Sequence, residues 1–311
     1  MQVLGDVASE GFTHADLQEA AKAWQELGCA TELIALHTHI ESAPPAYVLV
    51  VRRGAQALLH SASSPRTTAD DLFEEQLALP VDKNAFMKGR VVNKRARYNL
   101  CFGPDAQEPN YKLKRGRIVA FRDVPVLRSI RDRLQSVLGP KGDSLMCELN
   151  LYYDPSVCGI GFHGDTERRK VVCVRLGASI PLHYRWFLHC RPVGEPVSLS
   201  MHHGDMYVTD EKAVGFDWRR RSVLTLRHAA GAPKFLAVKR PPYSCKLNRR
   251  AAHTPSDARK EGKKKKRGSS GRRPAEKIVT KKKKQRTTSC SSVTAVEGCN
   301  AGAHTSCGHV Q

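Results

Sequence analysis

The sequence predicts an α+β fold: amphipathic helices flanking an antiparallel sandwich or barrel of short strands, followed by a basic tail that does not fold. Three observations carry this expectation. Apolar residues recur at helical spacing in the first half of the chain, short β-rich runs replace them from Leu145 to Val238, and beyond Arg240 the composition collapses to Lys, Arg, Ser, Gly, Thr and Pro. With 311 residues and 41% hydrophobic content the chain is long enough to bury a real core.

The elements follow in order. Thr13 with Asp16 three residues on forms a capping box before Leu17, Ala20, Ala21, Trp24 and Leu27, and Gly28 closes that helix. Tyr47 to Val51 and Ala57 to Leu59, separated by Arg53-Gly54, read as two short strands, and Ala69 to Leu79 as a second helix. Residues 1–80 therefore read as an α/β flank to a core spanning 81–240. From Lys88 to Tyr111 the chain is rich in Arg, Asn, Gly and aromatics without periodicity, which predicts a long functional loop or lid. Val124, Leu127, Ile130, Leu134, Val137 and Leu138 predict a helix stopped by Gly139-Pro140. Strands are expected at Leu149–Tyr153, Val171–Leu176, Val197–Met201, Met206–Val208, Val223–Leu226 and Phe235–Val238.

The formal charge of +21 is unevenly spread. Residues 239–286 hold 20 Lys and Arg against Asp257, Glu261 and Glu276, a net +17, whereas the 238 residues before them carry only +5. Residues 241–311 therefore read as a disordered appendage whose removal leaves the core folded. Its clusters at 263–267 and 281–286 suit nuclear import or a sequence-blind attraction to nucleic acid. The ten cysteines form no C-x-x-C pair, so they read as reduced thiols rather than as a zinc ribbon or a redox motif. No apolar run reaches membrane-span length and no signal peptide opens the chain, which predicts a soluble, intracellular and monomeric protein, nuclear or otherwise cytoplasmic.

The chemistry concentrates in Gly161-Phe162-His163-Gly164-Asp165. Side chains alternate along a strand, so His163 and Asp165 fall on one face, an imidazole and a carboxylate aimed at a shared site. With one distant His, such a pair makes the facial triad of non-haem iron, leaving positions open for a bidentate ligand and dioxygen. H-x-D alone is weak evidence, since most such pairs only hydrogen-bond. Context strengthens it. The stretch from Asn150 and Tyr152 through His163-Gly-Asp165 resembles the N-x-Y … H-x-D entry of the AlkB-like Fe(II)/2-oxoglutarate dioxygenases. Arg175-Leu-Gly177 resembles their S-L-G strand, His203-Gly-Asp205 their H-G-D strand, and Arg221-Ser-Val-Leu224-Thr225-Leu-Arg227 their R-x-N-L-T-F-R strand. Tyr98, Phe102-Gly103 and Tyr111 are similar to the family's substrate-lid region.

The resemblance implies a double-stranded β-helix, a distorted jelly roll, using Fe(II), 2-oxoglutarate and O2 to oxidise C–H bonds. Its typical substrates are alkylated nucleic-acid bases, so it implies oxidative demethylation of DNA or RNA, as in DNA repair. It casts His163 and Asp165 as catalytic metal ligands. Asn150 and Tyr152 become hydrogen-bonding partners of 2-oxoglutarate, Arg221 the partner of its distal carboxylate, and Arg227 a neighbour of its iron-side carboxylate. Arg suits both because its planar fork binds a carboxylate through two parallel bonds. The family's third ligand is a His, and Glu211 to Arg219 holds none. His228, the one His of the folded region downstream of Asp205, is assigned that role, with Asp217 as the alternative. Two other functions stay open: a protein or small-molecule hydroxylase of the same fold, and a nucleic-acid-binding pseudoenzyme. Arg168-Arg169-Lys170 reads equally as a phosphate-steering patch or a polar turn, and His202 and His203 as structural residues.

Overall fold

A computed structural model describes residues 5–60, 67–238 and 292–298. The first helix, α1 (His14–Glu26), is closed at its N-terminus by the Thr13–Asp16 capping box that the sequence announces. Next come β1 (Thr31–Ala35) and β2 (Tyr47–Val51), paired antiparallel. The second predicted strand of this region is instead a helix, α2 (Gly54–Leu59). Ala55, Leu58 and Leu59 are buried at helical spacing, and Ala, Gln and Leu favour helix more than a half-buried strand. Thr68 and Asp71 form a second capping box for α3 (Ala69–Leu77).

The stretch expected to be a lid is structured. Its first part is a hairpin, β3 (Asn84–Met87) with β4 (Arg90–Asn93), and its second part, β5 (Tyr98–Gly103), enters the main sheet beside β6 (Ile118–Ala120). Leu100 to Gly103 are buried, and that burial in the sheet, rather than any alternation, makes this segment a strand. Helix α4 (Pro125–Leu138) starts with Pro at its first position, where the missing N–H costs nothing, and ends at Gly139.

The rest of the core is β7 (Cys147–Tyr152), β8 (Gly159–His163), β9 (Lys170–Gly177), β10 (Leu182–Leu188), β11 (Arg191–Leu199), β12 (Met206–Thr209), the short helix α5 (Glu211–Val214) and β13 (Thr225–Gly231). Phe235–Val238, expected as a strand, forms none: Phe235 and Leu236 belong to the helical turn α6 (Pro233–Leu236), because Pro233 presets a helical φ. The last described element is β14 (Ser292–Gly298).

Two sheets form the architecture. One has the order β1-β2-β12-β9-β14-β7-β5-β6 and the other β11-β10-β13-β8. From β7 onward the chain passes from sheet to sheet, so β7, β9, β12 and β14 lie in the first and β8, β10, β11 and β13 in the second. That alternation, almost wholly antiparallel, is consistent with a jelly roll.

Period-two alternation explains how the layers pack. Along β2, Leu49 and Val51 join Trp24, Leu17, Leu127 and Ile130 in a core under α1 and α4, while Val48 and Val50 join Tyr184, Trp186 and Leu226 on the other side. In β9, Val172, Val174 and Leu176 belong to the helix-side core, whereas Val171 and Cys173 turn the opposite way. Each large apolar side chain buried in this manner contributes roughly 1.5–3 kcal/mol. The parity that buries Val171 and Cys173 also places Arg175 on the face between the sheets.

Two expectations about chain organisation change. Residues 1–80 are not a flank, since β2 pairs with β12 and continues the core sheet. The segment 241–311 is not wholly a tail either, because β14 is hydrogen-bonded between β7 and β9. Ser292-Val-Thr-Ala-Val has the β-branched content of a strand, hidden by the polar composition around it. Accordingly the chain divides into one compact unit of Met1–Arg240 with Ser289–Gln311 and another of Pro241–Thr288. The basic clusters at 263–267 and 281–286 lie outside the described residues. Among the described residues no helix is long and apolar enough to cross a membrane.

Candidate metal centre

β8 and β13 pair antiparallel with His163 directly opposite His228. The register shifts between His228 and Ala230, a bulge that re-aims the side chains near the strand end. The two imidazole rings stand 4.4 Å apart between centroids at 63°. Asp165 lies two residues beyond His163, and its carboxylate oxygens are 3.7 Å from His163 Nε2 and 3.6 Å from His228 Nε2. Those separations are too long for hydrogen bonds and leave a gap between three donors. One ligand atom from each residue lies within 4.8 Å of the other two.

Local chain geometry holds Asp165 there. The Asp165 amide donates to the Val214 carbonyl at 3.1 Å, which requires the chain to pass against Gly215. A Cβ on Gly164 would stand 2.2 Å from the Gly215 carbonyl oxygen and 2.8 Å from Trp218 Cβ, and Gly215 itself has φ +76°. Only glycine at both positions allows this crossing.

The protonation states suit a cation. His163 Nδ1 faces the carbonyls of Gly161 at 2.9 Å and of His228 at 3.1 Å. Carbonyls only accept, so Nδ1 carries the hydrogen and Nε2 keeps its lone pair toward Asp165. Burial lowers the pKa of His163. Burial and the neighbouring His163 push His228 down to about 4. Burial opposes the charge on Asp165, but the surrounding positive charge, Arg168 foremost, outweighs it and its pKa is lowered. Two neutral imidazoles and one carboxylate are the donor set of a facial Fe(II) site.

The three groups open into a small cavity of about 40 Å³, lined also by Arg97, Asn150, Tyr152, Arg175, Leu182 and Tyr207. Asn150 and Tyr152 reach it from β7, and Asn150 Oδ1 accepts from Arg97 Nε at 2.6 Å and from Asn99 Nδ2 at 2.5 Å.

The structure does not bring Arg221 or Arg227 to this cavity. Arg221 is exposed and precedes β13, outside the strand that carries Arg227 and His228. Arg227 is buried on the face opposite His228, its guanidinium 4.3 Å from the Phe187 ring and 5.3 Å from the Trp218 ring. Asp217 is also elsewhere, paired with Lys212 Nζ at 2.7 Å. His203 accepts from the Gly177 amide at 2.8 Å, and Asp205 is held by Arg52 at 2.7 Å, both in structural roles. Arg168 pairs with Glu148, Arg169 with Glu211, and Lys170 donates to the Lys141 carbonyl, so this run is internal bracing rather than a free phosphate-steering patch.

The sequence assigns no site role to the cavity arginines: Arg97 falls in the stretch expected as a lid, and Arg175 only marks the strand similar to S-L-G. A signal for Arg175 existed: a charge inside the otherwise apolar run Val171 to Leu176 is costly unless it serves a site.

No family model matches the chain. A crystal structure titled as an oxidoreductase of the 2OG-Fe(II) oxygenase family, from Burkholderia pseudomallei, matches 73% of this chain and 98% of its own, at 14% identity and a TM-score of 0.29, too low an overlap to support a function. The "Uncharacterized protein R156" of Acanthamoeba polyphaga mimivirus is 43% identical over 241 residues, covering 76% of this chain and 91% of the viral protein. At that identity and coverage the chain belongs to the same family as this mimivirus protein.

Proposed function

We propose that the protein is an Fe(II)- and 2-oxoglutarate-dependent dioxygenase. The observation that carries this reading is the convergence of His163, Asp165 and His228 within 4.8 Å at the floor of a cavity that also holds two arginines. The residues fit the metal: the imidazoles are neutral near pH 7, the carboxylate is ionised, and three ligands on one side leave the other side open. Fe(II) bound there supplies the dioxygen chemistry by which a substrate C–H bond is oxidised while 2-oxoglutarate is decarboxylated to succinate.

The chain's own groups do the rest. Arg175, on the inner face of β9, offers the fork for the distal carboxylate of the co-substrate, the role that Arg221 is too exposed to fill. Arg97 and Asn150 are already hydrogen-bonded to each other and present polar groups beside it. Tyr152 and Tyr207, both buried, have raised pKa values from desolvation and stay protonated as donors. The hydrogen bonds from His163 Nδ1 to backbone carbonyls fix the ring that would carry the metal.

For the substrate we favour alkylated bases of DNA or RNA, with oxidative demethylation as the reaction, in the manner of the AlkB-like enzymes. Charge supports this. Residues 83–117, which run from the β3–β4 hairpin past the cavity at Arg97, hold ten Lys and Arg against Asp105 and Glu108, whereas residues 1–82 carry a net −8. A basic segment beside the cavity, with the basic clusters farther along the chain, suits an anionic polymer and a nuclear location. The test is succinate release from anaerobically loaded protein mixed with oxygenated methylated oligonucleotides, with peptides as the comparison. Stimulation by peptides alone favours the protein hydroxylase.

A further inference from the structure

β14 stands between β7 and β9, antiparallel to both. Thr294 is level with Asn150 on one side and Arg175 on the other, and Ser292 with Tyr152 and Gly177. Three of these four neighbours, Asn150, Tyr152 and Arg175, line the cavity. Adjacent strands lie about 4.8 Å apart, so one seated strand holds β7 and β9 at roughly twice that spacing. Without it, each exposes an unpaired edge and the backbone ladder that spaces Asn150 from Arg175 is lost. The metal cluster is carried differently, by β8, β13 and the turn after β8.

We propose that the C-terminal strand Ser292–Gly298 is a working part of the binding site, setting the wall that receives the anionic co-substrate. The site is thus assembled from both sides of the basic segment. His163, Asp165, Asn150 and Arg175 precede residues 239–286, and the strand that spaces two of them follows. In sequence the basic clusters lie between those residues and the strand, and removing everything after residue 240 removes a strand of the site. Binding is reciprocal: if β14 raises the affinity for a dicarboxylate, the dicarboxylate holds β14 in place to the same degree.

This inference rests on the dioxygenase reading, and the experiment separates the two. Residues 287–311 contain no Lys or Arg, so a single cleavage engineered after Arg286 releases them as one fragment. In the cleaved full chain we expect the fragment to co-elute with the core on gel filtration. We also expect Co(II), followed by its visible absorption, and 2-oxoglutarate, followed by calorimetry, to bind as in the uncut protein. Stripping the fragment should weaken 2-oxoglutarate binding by about tenfold or more, while Co(II) affinity changes by less than about threefold. A synthetic 287–311 peptide should restore the loss. Thr294→Pro, which removes a backbone N–H from the ladder, should prevent that rescue, and Thr294→Val should not.

A fragment that elutes apart from the core overturns the proposal, as does unchanged 2-oxoglutarate affinity after stripping. Equal loss of Co(II) and 2-oxoglutarate overturns the selective role and leaves β14 a general fold element. If the uncut chain binds neither probe, the dioxygenase reading fails instead, and co-elution alone decides whether the strand is seated.

Discussion

At the scale of single residues, the site is an arrangement of protonation states as much as of positions. His228 is neutral in the fold down to about pH 4, whereas an unfolded histidine takes up its proton near 6.5. As pH falls from 6.5 toward 4 the unfolded chain gains a proton that the fold does not, so metal-free protein should lose stability across that window and show no such dependence above it. Thermal unfolding followed against pH, with His228→Asn for comparison, checks this: the variant should show a shallower slope, the remainder coming from His163, whose pKa burial also lowers. The three residues of the proposed metal site make a sharper set. His163→Ala, Asp165→Ala and His228→Ala should each weaken Fe(II) binding by at least about tenfold, and Asp217→Ala, which removes only a partner of Lys212, should leave it intact. Likewise Arg175→Ala should raise the 2-oxoglutarate Kd strongly, Arg175→Lys less, and Arg221→Ala not at all, read by calorimetry. Legibility at this scale followed local pattern. His163 and Asp165 stand out because their spacing alone puts them on one face, and His228 because few histidines were available. Arg175 was hidden because its role depends on which side of β9 faces the second sheet, a fact of packing and not of spacing.

At the scale of elements, turns and strand ends do the positioning. The crossing of Gly164 and Gly215 sets Asp165, so Gly164→Ala should weaken Fe(II) binding while changing no ligand, because its Cβ would meet the Gly215 carbonyl. Anaerobic Fe(II) titration of folded Gly164→Ala checks this, and wild-type affinity would show the crossing to be dispensable. Asp210 caps α5 through the Ala213 amide at 2.7 Å and ties it to β2 through the Tyr47 amide at 2.9 Å. Helices with capping boxes or a strong apolar stripe, α1, α3 and α4, were readable from sequence because their signals are local. The sequence of β10 carries no strand expectation, whereas Ala57–Leu59 carries one and is helical. A short apolar run fits either state until its neighbours are known. β14 was missed for the opposite reason: seven residues of strand pattern in a polar stretch gain meaning only from the gap between β7 and β9.

At the scale of the whole molecule, one apolar core lies under α1 and α4, a second lies between the two sheets, and the polar cavity opens beside His163 and His228. The class, helices flanking antiparallel strands, followed from composition and periodicity, whereas strand order and the membership of β1 and β2 in the core sheet come from long-range pairing that no local pattern encodes. Charge is segregated as well, −8 in residues 1–82 against +8 in residues 83–117, which the near-neutral total of the first 238 residues concealed. That segregation motivates an anionic polymer as substrate, but it bears on the partner and not on the chemistry. The proposed chemistry stands on the convergence of His163, Asp165 and His228. The most direct measurement is anaerobic titration of the full chain with Fe(II) and 2-oxoglutarate, followed by admission of O2 and quantification of succinate. The account predicts one Fe(II) bound per chain, 2-oxoglutarate binding that depends on it, and succinate formation lost in His163→Ala and His228→Ala. Succinate formation that persists in folded His228→Ala with undiminished iron occupancy, or its absence from a wild-type chain that binds both ligands, would contradict it.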